Sequence, residues 1–195
     1  KFDVAQTVCC VNCGVTVVIE PTLDLSADQR SKVARARNTY GPVLAYQLDS
    51  IKNPLLIKKL RKKLDELDSN SNVNIFIYTS PECLLRDPWK LVFIGLIQRK
   101  VLQLVCLDEI HMFVMFGITF CKEFTQLKQS FFKHLVDQYS TDLPSHKFTA
   151  DATTTYLDLY LKVPLLLMTA IFNPELLRLR ENMIGIQVVP QNYLW

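Results

Sequence analysis

Long hydrophobic runs are missing from this chain of 195 residues. The longest apolar stretch, residues 163–172, falls far short of the ~20 residues that a membrane-spanning helix needs, so we expect no membrane partner. A strong excess of one charge is missing too, because the formal net charge is only +3. That mild balance permits a nucleic-acid partner without requiring one.

The cysteines lack the spacing of a metal site. Six are present, and Cys9, Cys10 and Cys13 cluster near the start, but no second pair has matching spacing and no histidine is near. We therefore expect buried, reduced thiols, which suit an intracellular compartment. The hydrophobic content of 49% and the charged content of 21% predict one globular domain over residues 1–195. Because the chain starts at Lys1 without a methionine, we expect it to be a piece of a longer protein.

Residues 104–111 form the stretch that bears most directly on function. It reads Leu-Val-Cys-Leu-Asp-Glu-Ile-His, which is four apolar residues, two adjacent carboxylates and then a histidine. The apolar part predicts a strand buried on both faces of a parallel sheet, with Asp108 and Glu109 at its carboxyl end, where ligands bind in open α/β sheets. Adjacent acids suit nucleotide hydrolysis, since one can hold Mg²⁺ while its neighbour orients the attacking water. Taken alone, such a pair is more often a loop start or a helix cap.

Predicted strands alternate with predicted helices along most of the chain. Periodicity and turn signals place strands at residues 15–20, 43–48, 73–78, 104–107, 163–168 and 186–189. They place helices at residues 26–38, 56–67, 89–99 and 122–138, with another beginning at Asn173. Such alternation predicts an α/β fold in which a parallel sheet carries helices on both faces.

Polar or turn residues follow four of these strands. They are residues 20–22 (Glu-Pro-Thr), 79–82 (Thr-Ser-Pro-Glu), 108–109 (Asp-Glu) and 169–170 (Thr-Ala). In a parallel sheet all four segments lie along one edge, so we expect their side chains to meet there. The basic run at residues 58–63 is a second candidate for phosphate contact, although a solvated helix face is the favoured interpretation.

The strand-end motifs, in this order, resemble the first motor lobe of superfamily 2 helicases. Residues 108–111, Asp-Glu-Ile-His, look like the acidic Walker B box of DEAD/DEAH-box proteins. Residues 166–170 (Leu-Leu-Met-Thr-Ala) are similar to the S/T-A-T motif, and residues 17–21 (Val-Val-Ile-Glu-Pro) resemble the first nucleic-acid-contacting motif. The resemblance implies a RecA-like fold of the P-loop NTPase type, with ATP and Mg²⁺ as cofactors.

Within that superfamily the sequence is most similar to the RecQ-like family. Residues 21–29 match its P-L-x-x-L-x-x-D-Q pattern apart from Thr22, and residues 48–50 and 79–82 fall where it has two further contact segments. Residues 112–124 align without a gap with the aromatic-rich loop that couples DNA binding to ATP hydrolysis in the family. Phe116, Phe120 and Phe124 take its aromatic positions, with core packing as the alternative for them.

The resemblance implies a catalytic set in the acidic box and the S/T-A-T-like motif. Asp108 would hold Mg²⁺, Glu109 would orient the attacking water, and His111 would link the nucleotide to the aromatic loop. Thr169 and Ala170 would relay closure of the motor.

Binding residues follow from the same resemblance. Counting back without gaps, Lys1 and Gln6 fall on nucleotide-contacting positions. The nucleic acid would be single-stranded or forked DNA, and such a chromosomal substrate implies a nuclear location. Its contacts would be Pro21, Thr22, Ser50, Thr79, Glu82, Phe116, Phe120 and Phe124.

The sequence departs from the family at several positions. The glycine-rich phosphate loop would precede the first residue, and Phe2 takes the place of the Mg²⁺-binding Ser or Thr. Ile171 cannot supply the hydroxyl of the third residue of the Thr-Ala-Thr motif, and Ile118 and Cys121 replace a His and an Arg of the aromatic loop. The second motor lobe, which completes the ATP site in the family, lies outside these 195 residues.

Three interpretations follow. The first is an N-terminally truncated first lobe of a RecQ-like helicase, which alone is expected to be inactive, although the full-length protein couples ATP hydrolysis to strand separation. The second is a degenerate lobe that serves as a nucleic-acid-binding or interaction module without ATPase activity, as Ile171 and Cys121 suggest. The third is a nucleotide-binding α/β domain unrelated to helicases, which explains the acid pair but not the aromatic loop.

Overall fold

The computed structural model describes residues 13–21, 43–112, 126–127, 129–135 and 163–169. It contains five parallel strands, in the order β2-β3-β1-β4-β5 across one sheet. The strands are β1 (Gly14–Ile19), β2 (Val43–Gln47), β3 (Asn74–Thr79), β4 (Leu102–Leu107) and β5 (Leu165–Leu167). The helices are α1 (Pro54–Asp65), α2 (Pro81–Leu85) and α3 (Trp89–Gln98), with 3-10 turns at Leu48–Ser50 and Phe132–His134. Among the residues that the structure describes, no helix has the length and apolarity that crossing a membrane requires.

Both faces of the sheet are buried, which explains why its strands are nearly continuous apolar runs. Along β1, Val15, Val17 and Ile19 face a large core shared with α1 and α3. Val18, between them, faces a second core on the opposite side of the sheet. The members of this second core are Val18, Val43, Phe76, Tyr78, Leu104, Cys106 and Met168.

The start of α1 is fixed by Asn53 and Pro54. The Asn53 side chain accepts a hydrogen bond from Leu55 N at 2.9 Å, and Pro54 occupies the first helical position, where its missing N–H costs nothing. At the other end, the Arg99 guanidinium donates to the carbonyls of Leu64 and Leu67, at 3.1 and 3.0 Å. Leu64 lies in the last turn of α1 and Leu67 just beyond its end, so these bonds connect the end of α1 to the end of α3.

Gly14 opens β1 in a backbone conformation that only glycine adopts easily. Its φ is +147°, and a Cβ at this position would lie 2.6 Å from the Val101 carbonyl oxygen. That carbonyl accepts the Val15 N–H at 2.9 Å, beside a register shift between β1 and β4. The close approach brings the amino end of β1 against β4 and sets the alignment of their carboxyl ends.

The predicted alternation of strands and helices in a parallel sheet is confirmed, and several element bounds are corrected, including the starts of α1 at Pro54 and of β4 at Leu102. Helix α1 ends at Asp65, so Leu67, predicted inside it, lies beyond its end and is buried by the chain that follows. Strand β5 covers only Leu165–Leu167, because Pro164 before it has no N–H for the ladder. Residues 79–82 were expected to be strand end and loop, but Pro81 begins α2. The predicted helix 26–38 and strand 186–189 lie outside the described residues.

Candidate functional site

The carboxyl ends of the central strands stop level with one another. Ile19 of β1 pairs with both Thr79 of β3 and Leu107 of β4, and Leu107 also pairs with Leu167 of β5. Hydrogen bonds continue for one residue past the strands, because Asp108 N donates to the Ile19 carbonyl at 3.0 Å. This sheet edge, defined as the last residue of each strand and the four residues after it, as far as the structure describes them, is where the described site residues lie.

The acid pair begins directly after β4. Asp108 is 5% exposed, and its Oδ1 accepts the Glu109 N–H at 2.8 Å. Glu109 has a φ of 48°, in the left-handed region that residues with a Cβ avoid. The chain then forms a helical turn at residues 110–112, with Met112 N donating to the Glu109 carbonyl at 2.8 Å. The two adjacent carboxylates therefore occupy different positions, as two different chemical roles would require.

His111 connects the acid pair to the segment after β5. Its Nδ1 lies 3.1 Å from Thr169 Oγ1 and 3.2 Å from Glu109 Oε2. Ile110 N donates to the Met168 carbonyl at 2.9 Å, so backbone and side chain both join the two segments. If Nδ1 of His111 carries a proton, it donates to these oxygens. If Nδ1 is unprotonated, it accepts from the threonine hydroxyl. The imidazole ring of His111 therefore lies between the Glu109 carboxylate and the Thr169 hydroxyl and contacts both.

Asp108 is chemically suited to Mg²⁺. Carboxylate oxygen is a ligand that Mg²⁺ prefers, and in nucleotide sites the ion is usually held by one or two carboxylates together with phosphates and waters. Among the described residues, no group of three or more His, Cys, Asp or Glu side chains forms a metal-binding cluster. The donor set therefore fits an ion that arrives with a nucleotide and does not fit an all-protein cage.

Four predicted nucleic-acid contacts lie along the same sheet edge. Pro21, two residues after β1, is half-buried, and Ser50 is exposed and donates to the Gln47 carbonyl at 2.8 Å. Thr79 is only 2% exposed, and its hydroxyl donates to the Ser80 carbonyl at 3.2 Å. Glu82 is half-buried in the first turn of α2. The structure therefore brings these four residues to one edge, where the side chain of Thr79 is much less exposed to solvent than that of Ser50.

Two polar residues at this edge were not singled out from the sequence. Asp49 Oδ2 accepts the Ser80 N–H at 2.9 Å, and Asp49 Oδ1 accepts the Ser80 hydroxyl at 2.5 Å. The hydroxyl oxygen of Ser80 in turn accepts a hydrogen bond from the Cys83 N–H at 3.2 Å. Burial raises the pKa of the Cys83 thiol to about 11, and the negative charge of Asp49 adds to the rise. The sequence signal was Ser before Pro, a typical start of a helix.

A third such residue is Glu20, which follows β1 and is only 1% exposed. Its N–H donates to the Thr79 carbonyl at 3.0 Å, so it lies between the acid pair and the β3 end. The sequence showed Glu20 as the polar end of an apolar run but gave no sign of its burial. The remaining predicted site residues, Lys1, Gln6, Thr22, Phe116, Phe120, Phe124 and Ala170, lie outside the described residues.

Comparison with known proteins identifies the fold. No family model matches the chain, and no curated protein matches it significantly in sequence. Among solved structures, 41 chains match. They include the DUF1998 helicase MrfA bound to DNA and AMPPNP, with a TM-score of 0.53, 19% identity and coverage of 95% of this chain. MrfA bound to DNA matches with the same TM-score, identity and coverage of this chain.

The chain spans about a fifth of MrfA, namely 21% of one matched chain and 20% of the other. At this identity the similarity shows the fold, a five-stranded parallel sheet with helices of the RecA-like type found in helicases. The predicted RecA-like α/β fold is therefore confirmed, and the similarity supports a helicase-like fold without distinguishing a RecQ-like one.

Proposed function

We propose that the chain is the first motor lobe of an ATP-dependent, RecQ-like DNA helicase. The observation that carries the proposal is the connected group of Asp108, Glu109, His111 and Thr169 at the sheet edge, with His111 Nδ1 within 3.2 Å of both Glu109 Oε2 and Thr169 Oγ1. Its support is the RecA-like fold, which the chain shares with a helicase solved with DNA and AMPPNP, and the RecQ-like sequence motifs.

In this proposal each member of the group has one task. Asp108 would hold Mg²⁺, which would supply positive charge to neutralise the phosphates of a bound nucleotide. Glu109 orients the attacking water and accepts its proton, because a carboxylate next to the metal ligand is well placed to do so. His111 positions Glu109 and links its carboxylate to the Thr169 hydroxyl.

Single-stranded or forked DNA is the proposed nucleic-acid partner, running along the sheet edge past Pro21, Ser50, Thr79 and Glu82. A second motor lobe of the same full-length protein is the proposed partner that closes over the nucleotide, as the RecQ-like resemblance implies. A nuclear location is part of the proposal, as the RecQ-like resemblance implies for a chromosomal substrate.

The proposal is tested by Glu109→Gln in the full-length protein that contains this chain. Removing the carboxylate should lower DNA-stimulated ATP hydrolysis by ~10²–10⁴-fold, the usual contribution of a general base, while the Kd for ATP changes little. Glu66→Gln is the matched control, since Glu66 is an exposed glutamate paired with Lys62 at 3.7 Å on α1. Hydrolysis is measured as phosphate release and ATP affinity by calorimetry. Unchanged turnover in Glu109→Gln would contradict the assignment.

A degenerate lobe that binds nucleic acid without hydrolysing ATP is the second candidate. It is favoured by Ile171, which replaces the hydroxyl-bearing third residue of the Thr-Ala-Thr motif. It is also favoured by Cys121, which replaces an arginine of the aromatic loop. Under this alternative the full-length protein binds single-stranded DNA with the same affinity in the presence and absence of ATP, and no phosphate is released.

A further inference from the structure

The ends of β2 and β3 are joined by a side chain that has no task in the proposed chemistry. Asp49 lies in the 3-10 turn after β2, and it accepts two hydrogen bonds from Ser80, which follows β3. One comes from the Ser80 backbone N–H and the other from its hydroxyl, at 2.9 and 2.5 Å. The bond from the Ser80 hydroxyl is short, as is typical of an O–H group that donates to a carboxylate.

Ser80 extends this connection into α2. The Ser80 oxygen accepts the Cys83 N–H at 3.2 Å and so caps the first turn of the helix, which contains Glu82. The backbone pairing of β2 with β3 ends at Gln47 and Tyr78. The bonds made by Asp49 therefore continue the connection between the two segments beyond the last strand pair.

We propose that Asp49 is a positioning residue that fixes the spacing between two candidate DNA-contacting segments, Ser50 on one side and residues 79–82 on the other. The inference rests on the proposed function, because this spacing matters only if a nucleic-acid strand runs along the sheet edge. The two donors from Ser80 also offset the negative charge of Asp49, which would otherwise repel phosphates at this edge.

The chain contains a matched control for this arrangement. Asp68 also accepts one bond from a backbone N–H, that of Asn70 at 3.1 Å, and one from a serine hydroxyl, that of Ser71 at 2.8 Å. Its partners are two and three residues away, so its bonds join no separate elements. Asp68 lies between the end of α1 and the start of β3, at the amino ends of the strands.

The test is the binding of fluorescein-labelled oligothymidylate to the full-length protein that contains this chain, measured by fluorescence anisotropy well below the melting temperature of each variant. Asp49→Ala should weaken binding about tenfold, the equivalent of losing one good interaction. Asp49→Asn should restore binding to within about twofold of wild type, because its amide can accept from Ser80 N and donate to Ser80 Oγ. Asp68→Ala should also stay within about twofold, since its bonds are local.

A second variant, Ser80→Ala, keeps the proposal testable if Asp49→Ala folds poorly. It should weaken binding on its own, and the double variant should bind no more weakly than Asp49→Ala, because both changes break the same contact. Hydrogen exchange at the Ser80 amide should quicken in Asp49→Ala and stay unchanged in Asp68→Ala.

Different outcomes overturn different claims. Wild-type affinity in folded Asp49→Ala, or an equal loss in Asp68→Ala, overturns the positioning role and leaves the proposed function standing. An equal loss in Asp49→Asn also overturns it, since that variant keeps the connection to Ser80. If the wild-type full-length protein binds no oligonucleotide, the proposed function fails and the positioning role fails with it.

Discussion

Glu109 has a strained backbone conformation within the candidate site. Its left-handed backbone, with φ of 48°, costs about 1–2 kcal/mol for a residue that has a Cβ. The conformation brings its carboxylate to 3.2 Å from His111 Nδ1 at the start of a helical turn. The residue types and their spacing predicted the acid pair and the histidine. The strained backbone could not be predicted, because it is imposed by the bonds of neighbouring segments.

At the same scale, Cys83 and Cys13 should differ strongly in reactivity. Cys83 is buried and the pKa of its thiol is raised to about 11, whereas Cys13 is exposed. At pH 8.5 a thiol with this pKa has a thiolate fraction about 100-fold smaller than one at the ordinary value, and only the thiolate is alkylated. Iodoacetamide labelling followed by peptide mass spectrometry should therefore modify Cys13 long before Cys83.

The same pKa shift makes the folding stability depend on pH. Between about pH 9 and 11 the unfolded chain has lost the Cys83 proton while the folded chain still holds it, so stability falls as the pH rises through this window. Cys83→Ala should remove that part of the decline in urea unfolding, and Cys13→Ala should leave it in place. For the labelling experiment, equal modification of Cys13 and Cys83 by iodoacetamide in the folded chain would contradict the expected difference in reactivity.

Helix α3 ends without the glycine that usually marks such an end. Lys100 N donates to the Ile97 carbonyl at 3.0 Å and Val101 N to the Leu96 carbonyl at 2.9 Å, the two bonds of a Schellman motif. Lys100 takes the left-handed conformation of this motif, with φ of 58°. The sequence predicted the end of α3 to within one residue from its hydrophobic pattern, but the lysine gave no sign of the motif.

Lys100→Gly should therefore stabilise the protein. Glycine adopts a positive φ without steric cost, so the free energy of unfolding should rise by about 1 kcal/mol, as measured by urea denaturation. Lys59→Gly is the control, because Lys59 is exposed in the middle of α1 and glycine there should lower stability by about 1 kcal/mol. A loss of stability in Lys100→Gly would show that the lysine side chain has a role that its exposure does not reveal.

At the scale of the whole molecule, the sheet could be predicted because each central strand is an apolar run that ends in polar residues. That pattern indicated parallel strands buried on both faces, and it placed Asp108, Pro21 and Thr169 on one edge. The long-range connections could not be predicted, since the bond from Ser80 N to Asp49 at this edge and the bond from Arg99 to the Leu64 carbonyl of α1 join residues more than 30 positions apart. Spacing in the sequence gives no measure of such long-range contacts.

We propose that this sheet edge is the nucleotide and DNA site of a helicase motor. The most direct test is ATP hydrolysis by the full-length protein that contains the chain, measured as phosphate release with and without single-stranded DNA, beside the 195-residue chain alone. We expect the full-length protein to hydrolyse ATP and single-stranded DNA to increase the rate, while the isolated chain is inactive. A full-length protein that binds single-stranded DNA but releases no phosphate would contradict it and establish the degenerate lobe instead.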